Sequence, residues 1–263
     1  MLLAIDVGNT NILLGVYRDG ALLDTWRVST DRERTGDEHA VLFRSLLESA
    51  GHALSGVAGV AISNVVPPLA PALRHFVQRY LGLEAEFIGE TLRPFVPICY
   101  SPPTAVGADR LADAVAVIRR YGVPAVVVDF GTATTFDAIS GEGEYLGGAI
   151  APGIGISLDA LFRTAAHLPR IELVRPPRVI GGSTVESIQS GAYYGFLGQV
   201  EGVVRRFRAE LGPGTQIIAT GGLAELITRD TDCIDHVDPY LTLDGLRIVW
   251  EEAHTDRAPA NED

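Results

Sequence analysis

The sequence lacks lysine altogether: all 21 residues counted as lysine or arginine are arginines. This absence excludes a phosphate-binding loop of the Walker type, whose signature ends in lysine followed by serine or threonine. It also excludes enzymes that form a Schiff base through a lysine amine, pyridoxal-phosphate enzymes included. Positive charge for an anionic ligand must therefore come from arginine, from bound metal ions or from backbone N–H groups.

Basic charge of any kind is scarce, because 33 acidic residues outnumber the 21 arginines and give a net charge of −12 in 263 residues. Sequence-independent binding of nucleic acid needs clustered cations along the phosphate backbone, and docking on an anionic membrane needs them too. We therefore expect no nucleic-acid partner and no membrane partner. Hydrophobic residues make up 47% of the chain, which is enough to build a sizeable core.

Cysteine is also rare, and Cys99 and Cys233 form no pattern typical of a disulfide framework or a metal cage. No apolar run reaches the roughly 18 residues that suggest a membrane-spanning helix. The N-terminus lacks the basic start and cleavage site of a signal peptide, and Asp6 stands among its first residues. We expect a cytoplasmic protein.

The apolar patterns predict an α/β protein made of two similar halves. In the first half, the predicted strands cover residues 2–7, 12–17, 21–28 and 57–63, and a helix covers 37–50. In the second half, the predicted elements are a helix over 109–121, strands over 125–128, 134–139 and 216–220, and a long helix over 185–211. We predict domains at 1–115 and 116–255 that face each other across a cleft, with a disordered tail over 256–263.

Similar loops follow a predicted strand in each half. Asp6 precedes a turn formed by residues 8–10, and Asp129 precedes a turn and hydroxyl-rich segment over 131–135. Such a carboxylate can hold a hydrated Mg²⁺ ion while the N–H groups of the turn bind phosphate oxygens. Each loop alone is also compatible with an ordinary hairpin turn. Their paired occurrence in an acidic chain without lysine favours a nucleotide site, to which a metal ion supplies the missing charge.

The segment over 107–110 precedes a predicted helix and permits two interpretations. Asp109 is a candidate N-cap, which contributes about 1 kcal/mol, beside a solvated Arg110. Alternatively, Asp109 is a base that orients an attacking hydroxyl group and accepts its proton, while Arg110 supplies charge to the substrate or to phosphates.

Glycine also recurs on the long predicted helix, at Gly191, Gly195, Gly198 and Gly202. Spacings of three and four residues place these glycines on one side of the helix, where a second helix could approach closely. The pattern alone does not decide whether such a contact lies within the chain or between chains.

Taken together, these motifs resemble the type III pantothenate kinases of the actin-like superfamily that includes acetate and sugar kinases. The resemblance covers about residues 1–250. It rests on the segments 6–10, 107–110, 129–135, 148–153, 180–184 and 188–191, which occur in this order along the chain. It implies a duplicated actin-like, ribonuclease H-like ATPase fold. The implied reaction is ATP-dependent phosphorylation of the primary hydroxyl group of pantothenate, the first step of coenzyme A biosynthesis.

The resemblance also implies roles for individual residues. Asp109 is the expected proton acceptor, and Asp6 is expected near the Mg²⁺ ion that accompanies ATP. Asp129 is expected to bind a monovalent cation, either potassium or ammonium. The residues expected to bind ATP are Asp6, Val7, Gly8, Asn9, Thr10, Asn11, Ile12, Leu13 and Thr132. The residues expected to bind pantothenate are Tyr100, Gly107, Ala108, Asp109, Arg110 and Thr184. The resemblance further implies a homodimer with substrate sites near the subunit interface.

Two other functions remain open on the sequence. A non-catalytic relative would bind a nucleotide or a partner as an accessory or regulatory protein without turnover. The presence of Asp6, Asp109 and Asp129 together is evidence against it. A kinase of another small alcohol or carboxylate is also compatible with the fold. The segment 107–110 and Tyr100 favour pantothenate.

Overall fold

The computed structural model describes residues 1–165 and 167–255, so the predicted tail over 256–263 lies outside the described residues. The chain forms two compact units. Unit 1 contains Met1–Val96 and Ser101–Ala116, together with the helix Leu241–Thr255 near the end of the described chain. Unit 2 contains Pro97–Tyr100 and the described part of Val117–Tyr240.

The secondary structure consists of strands and helices in mixed order. The strands are β1 (Leu2–Val7), β2 (Asn11–Arg18), β3 (Ala21–Ser29), β4 (Gly59–Asn64), β5 (Glu86–Phe87), β6 (Ala125–Phe130), β7 (Ala133–Ile139), β8 (Tyr145–Pro152), β9 (Gln216–Thr220) and β10 (His236–Val237). The α-helices are α1 (Gly36–Ser49), α2 (Ala70–Phe76), α3 (Ala108–Arg120), α4 (Ile154–Thr164), α5 (Thr184–Leu211), α6 (Ala224–Ile227) and α7 (Leu241–Thr255).

Unit 1 is built on a five-stranded sheet of order β3-β2-β1-β4-β5. Strands β1, β2 and β3 form antiparallel hairpins, and β4 pairs in parallel with both β1 and β5. The predicted turn between β2 and β3 is tight because Asp19 and Gly20 both adopt positive φ angles, 51° and 78°. Such a two-residue turn matches the twist of the strands that it joins.

The first sheet is covered on both faces, which explains the continuous apolar run of β1. One face packs against α1 and α2 through a core that includes Ile5, Phe43 and Phe76. Helix α7 packs against β1, β2 and β4. It also lies so close to α3 that a Cβ atom on Gly245 would be 2.0 Å from the carbonyl oxygen of Ala112.

Unit 2 repeats this topology with a sheet of order β10-β9-β6-β7-β8. Its first three strands are again antiparallel neighbours, and β6 pairs in parallel with β9. Helix α5 covers the sheet with the buried side chains of Tyr193, Val200 and Val204. The N-cap of α5 is Ser183, whose hydroxyl accepts a hydrogen bond from the backbone N–H of Glu186. The α/β class with internal duplication is thereby confirmed.

Two details differ from the sequence-based expectation. Strand β6 continues to Phe130, so Asp129 lies within the strand and not after it. Helix α7 packs with unit 1, whereas sequence order had grouped residues 241–255 with the second half. The difference arises because apolar packing joins segments that are distant along the chain. The domain boundary at 115 and 116 stays a prediction.

The glycine stripe of α5 faces open space within the chain. A Cβ atom added to Gly191, Gly195 or Gly198 would meet no described atom within 4 Å. The expected close helix contact is therefore not made within the described residues. As for membranes, none of the helices in the described ranges combines the length and apolar character needed to span one.

Candidate functional site

In unit 1, the predicted ATP-binding residues form one short hairpin. Asp6 is the fifth residue of β1 and lies in register with Leu13 on β2 and with Ser63 on β4. The turn between β1 and β2 is closed by a 3.0 Å hydrogen bond from the N–H of Gly8 to the carbonyl of Asn11. Residues 6–13 are thus contiguous in space, as a phosphate-binding loop requires.

A segment that the sequence did not single out fastens this hairpin. The hydroxyl of Thr30 donates to the carbonyl of Gly8 at 2.6 Å, and its N–H donates to the carbonyl of Thr10 at 2.9 Å. Arg32 donates to the side-chain oxygen of Asn9 at 3.0 Å. An arginine therefore lies at the predicted phosphate loop of a chain without lysine. The sequence feature that could have identified Arg32 is its position, three residues after the end of β3.

Asp109 is the second residue of α3 in the same unit, and its charge influences Asp6. Burial raises the pKa of Asp6 to about 7, with a further rise from the nearby charge of Asp109 and partial compensation by Ser63 and Arg27. Two carboxylates in such proximity disfavour each other's ionisation. This coupling brings together the two aspartates that the sequence had assigned to metal binding and to proton transfer.

The backbone around Asp109 is fitted closely to its carboxylate. The N–H of Arg110 donates to Asp109 Oδ1 at 2.8 Å. A Cβ atom on Gly107 would lie only 2.5 Å from that same oxygen, so the glycine leaves the room in which the carboxylate sits. The position of Asp109 in the first turn of α3 is also electrostatically favourable for a negative charge.

The residues in unit 1 fit a magnesium ion that accompanies ATP. Asp6 Oδ1 is shielded from solvent, and neither it nor Ser63 Oγ makes a well-formed hydrogen bond within the described residues. No group of three or more histidine, cysteine or acidic side chains suited to a metal occurs in the described ranges. Magnesium is commonly held by one or two carboxylates, with water and substrate phosphates as its other ligands. Asp6 suits that role.

In unit 2, Asp129 occupies on β6 the position that Asp6 occupies on β1. It lies in register with Thr135 on one side and with Thr220 on the other. A Cβ atom on Gly221, whose φ is +92°, would lie 2.3 Å from Asp129 Oδ1. A Cβ atom on Gly131 would lie 3.2 Å from Asp129 Oδ2. Glycines therefore bring backbone against both oxygens of this carboxylate.

Thr132 lies in the turn that follows Asp129, and Gly153 supports this turn. The N–H of Gly153 donates to the carbonyl of Thr132 at 3.2 Å. A Cβ atom on Gly153 would lie 2.2 Å from that carbonyl oxygen. The glycine that follows β8 is therefore needed for close packing under the turn.

The remaining predicted residues of unit 2 are Tyr100 and Thr184. Tyr100 is partly exposed and lies edge to face with Tyr145, at a ring-centroid distance of 6.3 Å. Thr184 opens α5 and lines an apolar groove of about 670 Å³ between α4 and α5. The predicted site residues thus form two sets, one in each unit, and unit 1 contains Arg110, Gly107, Ala108 and Asp109 as a contiguous group.

The raised pKa of Asp6 predicts how this carboxylate affects stability. A carboxyl group whose pKa is higher in the folded than in the unfolded protein takes up protons on folding. The free energy of unfolding therefore falls as the pH rises from about 4 to about 7. Asp6→Asn removes this penalty. We expect its melting temperature, without nucleotide or metal, to exceed that of the wild type by about 5 °C at pH 8. The difference is expected to shrink at pH 5.

Thermal denaturation followed by circular dichroism at both pH values tests this expectation. Asp19→Asn is the matched control, because Asp19 is an exposed turn residue of the same unit. Equal melting temperatures for Asp6→Asn and the wild type at pH 8 would contradict the assigned burial penalty.

Comparison with solved structures identifies the fold. A conserved protein from Campylobacter jejuni, assigned to the Baf family of transcriptional activators, aligns over 96% of this chain and 99% of its own, with a TM-score of 0.60 and 20% identity. The activator of 2-hydroxyisocaproyl-CoA dehydratase from Clostridium difficile, solved with bound ADPNP, covers 100% and 99% with a TM-score of 0.54 and 13% identity. At these identities the likeness concerns the fold alone, which is the duplicated actin-like ATPase fold.

Comparison of sequences identifies the family. The family model for type III pantothenate kinase matches residues 2–206. A curated type III pantothenate kinase from Moorella thermoacetica is 55% identical over 251 residues, which cover 95% of this chain and 99% of the relative. Similarity at this level favours the catalytic hypothesis over a non-catalytic accessory protein. The chain therefore belongs to the type III pantothenate kinase family and is a kinase that phosphorylates pantothenate in coenzyme A biosynthesis.

Proposed function

We propose that Asp109 is the base of this kinase. It accepts the proton of the primary hydroxyl group of pantothenate as that oxygen bonds to the γ-phosphorus of ATP, and the bond to the β-phosphate oxygen breaks to release ADP. The observation that carries this proposal is the close fit of the backbone around the Asp109 carboxylate, where a Cβ atom on Gly107 would lie 2.5 Å from Oδ1. It is supported by the hydrogen bond from the N–H of Arg110, which orients the Asp109 carboxylate. A positioned carboxylate of this kind suits general base catalysis.

The hairpin over 6–13 is proposed to bind the phosphates of ATP, with Asp6 as a ligand of Mg²⁺. Bound magnesium neutralises negative charge on the phosphates, which a loose phosphoryl-transfer transition state requires. The closed Gly8 turn supports this role because its backbone is held by Thr30 and so needs little rearrangement.

Pantothenate is proposed to contact Gly107, Ala108, Asp109 and Arg110, and Tyr100 and Thr184 are proposed as further pantothenate-binding residues. The absence of a side chain at Gly107 supports a close approach of ligand to the backbone beside Asp109. The guanidinium group of Arg110 is suited to an anionic substrate.

Asp129 is proposed to bind a monovalent cation, potassium or ammonium, and Thr132 is proposed to contact ATP. The support is chemical. Asp129 is the fifth of the six residues of the largely buried strand β6, and a carboxylate in that setting is stabilised by a cation. The absence of side chains at Gly221 and Gly131 leaves room beside both carboxylate oxygens, since Cβ atoms there would lie 2.3 Å and 3.2 Å from them.

We also propose that two copies of the chain associate through unit 2 as a homodimer. Three glycines of α5 face open space, and the groove beside them exposes apolar side chains that include Leu161. An exposed apolar surface next to a helix face lined by glycines is typical of protein association sites. The groove includes Thr184, which agrees with a substrate residue near the interface.

We propose a cytoplasmic location, where ATP is available and where Cys99 and Cys233 stay reduced as free thiols.

Asp109→Asn tests the proposed base. The amide cannot accept the proton, so we expect pantothenate-dependent ADP release to fall by at least about a hundredfold. The melting temperature should stay close to that of the wild type, and Asp19→Asn should retain full activity. Turnover within a few-fold of the wild type would remove Asp109 from the mechanism.

Asp129→Ala tests the proposed cation site. Wild-type activity is expected to rise with potassium concentration at constant ionic strength, with choline as the replacement ion. The variant should lose this response because the carboxylate that attracts the ion is gone. Asp232→Ala, at an exposed aspartate of the same unit, should respond as the wild type does. An unchanged potassium response in Asp129→Ala would reject the assignment.

Gly195→Arg tests the proposed dimer. A Cβ atom at this position would meet no described atom within 4 Å, and arginine replaces a helix-destabilising residue, so the fold should tolerate the change. We expect sedimentation velocity to show a dimer for the wild type and a monomer for the variant. Gly214→Arg is the control at an exposed glycine outside α5. A dimeric Gly195→Arg variant would exclude this face as the interface.

A further inference from the structure

Tyr100 is supported from two sides by residues of β8. Its ring lies against the backbone of Gly147, where a Cβ atom would be 3.0 Å from Tyr100 Cδ2 and 3.3 Å from Cε2. Its second support is the edge-to-face contact with Tyr145. The glycine at 147 also has a φ of +117°, which residues with a side chain rarely adopt. The backbone at this point is therefore shaped to receive the Tyr100 ring.

The chain that leads to Tyr100 is anchored on the same residue, Tyr145. The N–H of Tyr145 donates to the carbonyl of Pro97, and the N–H of Cys99 donates to the carbonyl of Tyr145, both at 2.8 Å. These bonds add the segment to the edge of the second sheet as an isolated bridge between Ile98 and Tyr145. Both are backbone bonds, so they do not depend on the side chain at position 145.

The hydroxyl group of Tyr145 is hydrogen-bonded to a buried carboxylate, that of Asp137. Its hydroxyl donates to Asp137 Oδ1 at 2.6 Å, and the hydroxyl of Thr135 donates to Asp137 Oδ2 at 3.0 Å. Tyr145 and Asp137 are both 0% exposed. A short hydrogen bond to a carboxylate is among the stronger ones available to a neutral donor, and burial strengthens it further. The Tyr145 ring is therefore locked in place.

We propose that Tyr145 and Asp137 are positioning residues that hold the Tyr100 ring in the orientation in which it binds pantothenate. The inference rests on the proposed role of Tyr100 as a pantothenate contact. A partly exposed tyrosine has rotamer freedom that it must lose when ligand binds, and prior fixation reduces this cost. The network acts on substrate binding and leaves the phosphoryl-transfer step untouched.

Tyr145→Phe isolates the hydroxyl group, because the ring and both backbone bonds remain. We expect the KM for pantothenate to rise about fivefold, while kcat and the KM for ATP stay within about twofold of the wild type. Tyr121→Phe is the matched control. It removes another tyrosine-to-aspartate hydrogen bond of unit 2, from Tyr121 to the buried Asp238 at 2.8 Å. It should lower the melting temperature comparably and leave every kinetic constant unchanged.

A double-mutant cycle separates positioning from a general effect on stability. If Tyr145 acts through Tyr100, the effect of Tyr145→Phe on the KM for pantothenate disappears when Tyr100 is already alanine. If Tyr145 only stabilised the fold, Tyr145→Phe would raise the KM for pantothenate by the same factor in the wild type and in Tyr100→Ala. Asp137→Asn provides a second variant that retains an oxygen acceptor and the side-chain volume. We expect it to raise the same KM in the same selective way.

The outcomes are distinct. An unchanged KM for pantothenate in folded Tyr145→Phe and Asp137→Asn, or an undiminished effect in the Tyr100→Ala background, would overturn the inference and leave the kinase mechanism intact. A comparable rise of the KM for pantothenate in Tyr121→Phe would show that the effect comes from lost stability. That result would also overturn the inference. Failure of the wild type to release ADP in response to pantothenate would overturn the proposed function together with the inference.

Discussion

Asp6 is held on the central strand of the first sheet within the electrostatic influence of Asp109, and ionising both carboxylates is costly. The cost arises from the fold itself, since the parallel and antiparallel neighbours of β1 exclude the water that would solvate the charge. A cation relieves it, and this chain has no lysine to do so. The protein is therefore electrostatically strained at Asp6, and such local strain is a common compromise between stability and function.

The same strand position has different surroundings in the two units. Asp6 and Asp129 are each the fifth residue of a six-residue central strand. Asp6 has Ser63 as its parallel neighbour and Asp109 as a nearby charge, whereas Asp129 is enclosed by backbone that Gly221 and Gly131 allow to approach. The duplicated sheet supplies the same strand position twice, and the residues that flank each carboxylate make the two environments different.

Local sequence signals predicted the regular elements well. The bounds of β1 and β9 match the predicted 2–7 and 216–220 because buried strands are short apolar runs with clear turn signals at their ends. The predicted strand over 125–128 stopped short of Asp129, although β6 pairs with β7 and β9 at this residue and continues to Phe130. An apolar run alone does not show whether a strand continues past a charged residue.

What the sequence could not provide were contacts between distant segments. The position of Arg32 at the Gly8 turn depends on the length of the β2–β3 hairpin, and the support of Tyr100 by Tyr145 depends on a backbone bridge 47 residues along the chain from position 98. Motif similarity assigned Tyr100, Asp109 and Asp129 to a function without such knowledge. It gave no reason for Tyr145, Gly147 and Gly221, which lie against Tyr100 and Asp129 from outside the motifs.

Helix α7 has a consequence for how the protein is made. Its Leu243, Gly245 and Trp250 lie close to Gly15, Ala112 and Gly59. The ribosome releases β1 first and α7 near the end of the described chain, so the open face of the first sheet stays uncovered through most of translation. The nearly continuous unit 2 can be completed earlier. Unit 2 can therefore be completed before the strand that carries Asp6 is enclosed, although that strand precedes unit 2 along the chain.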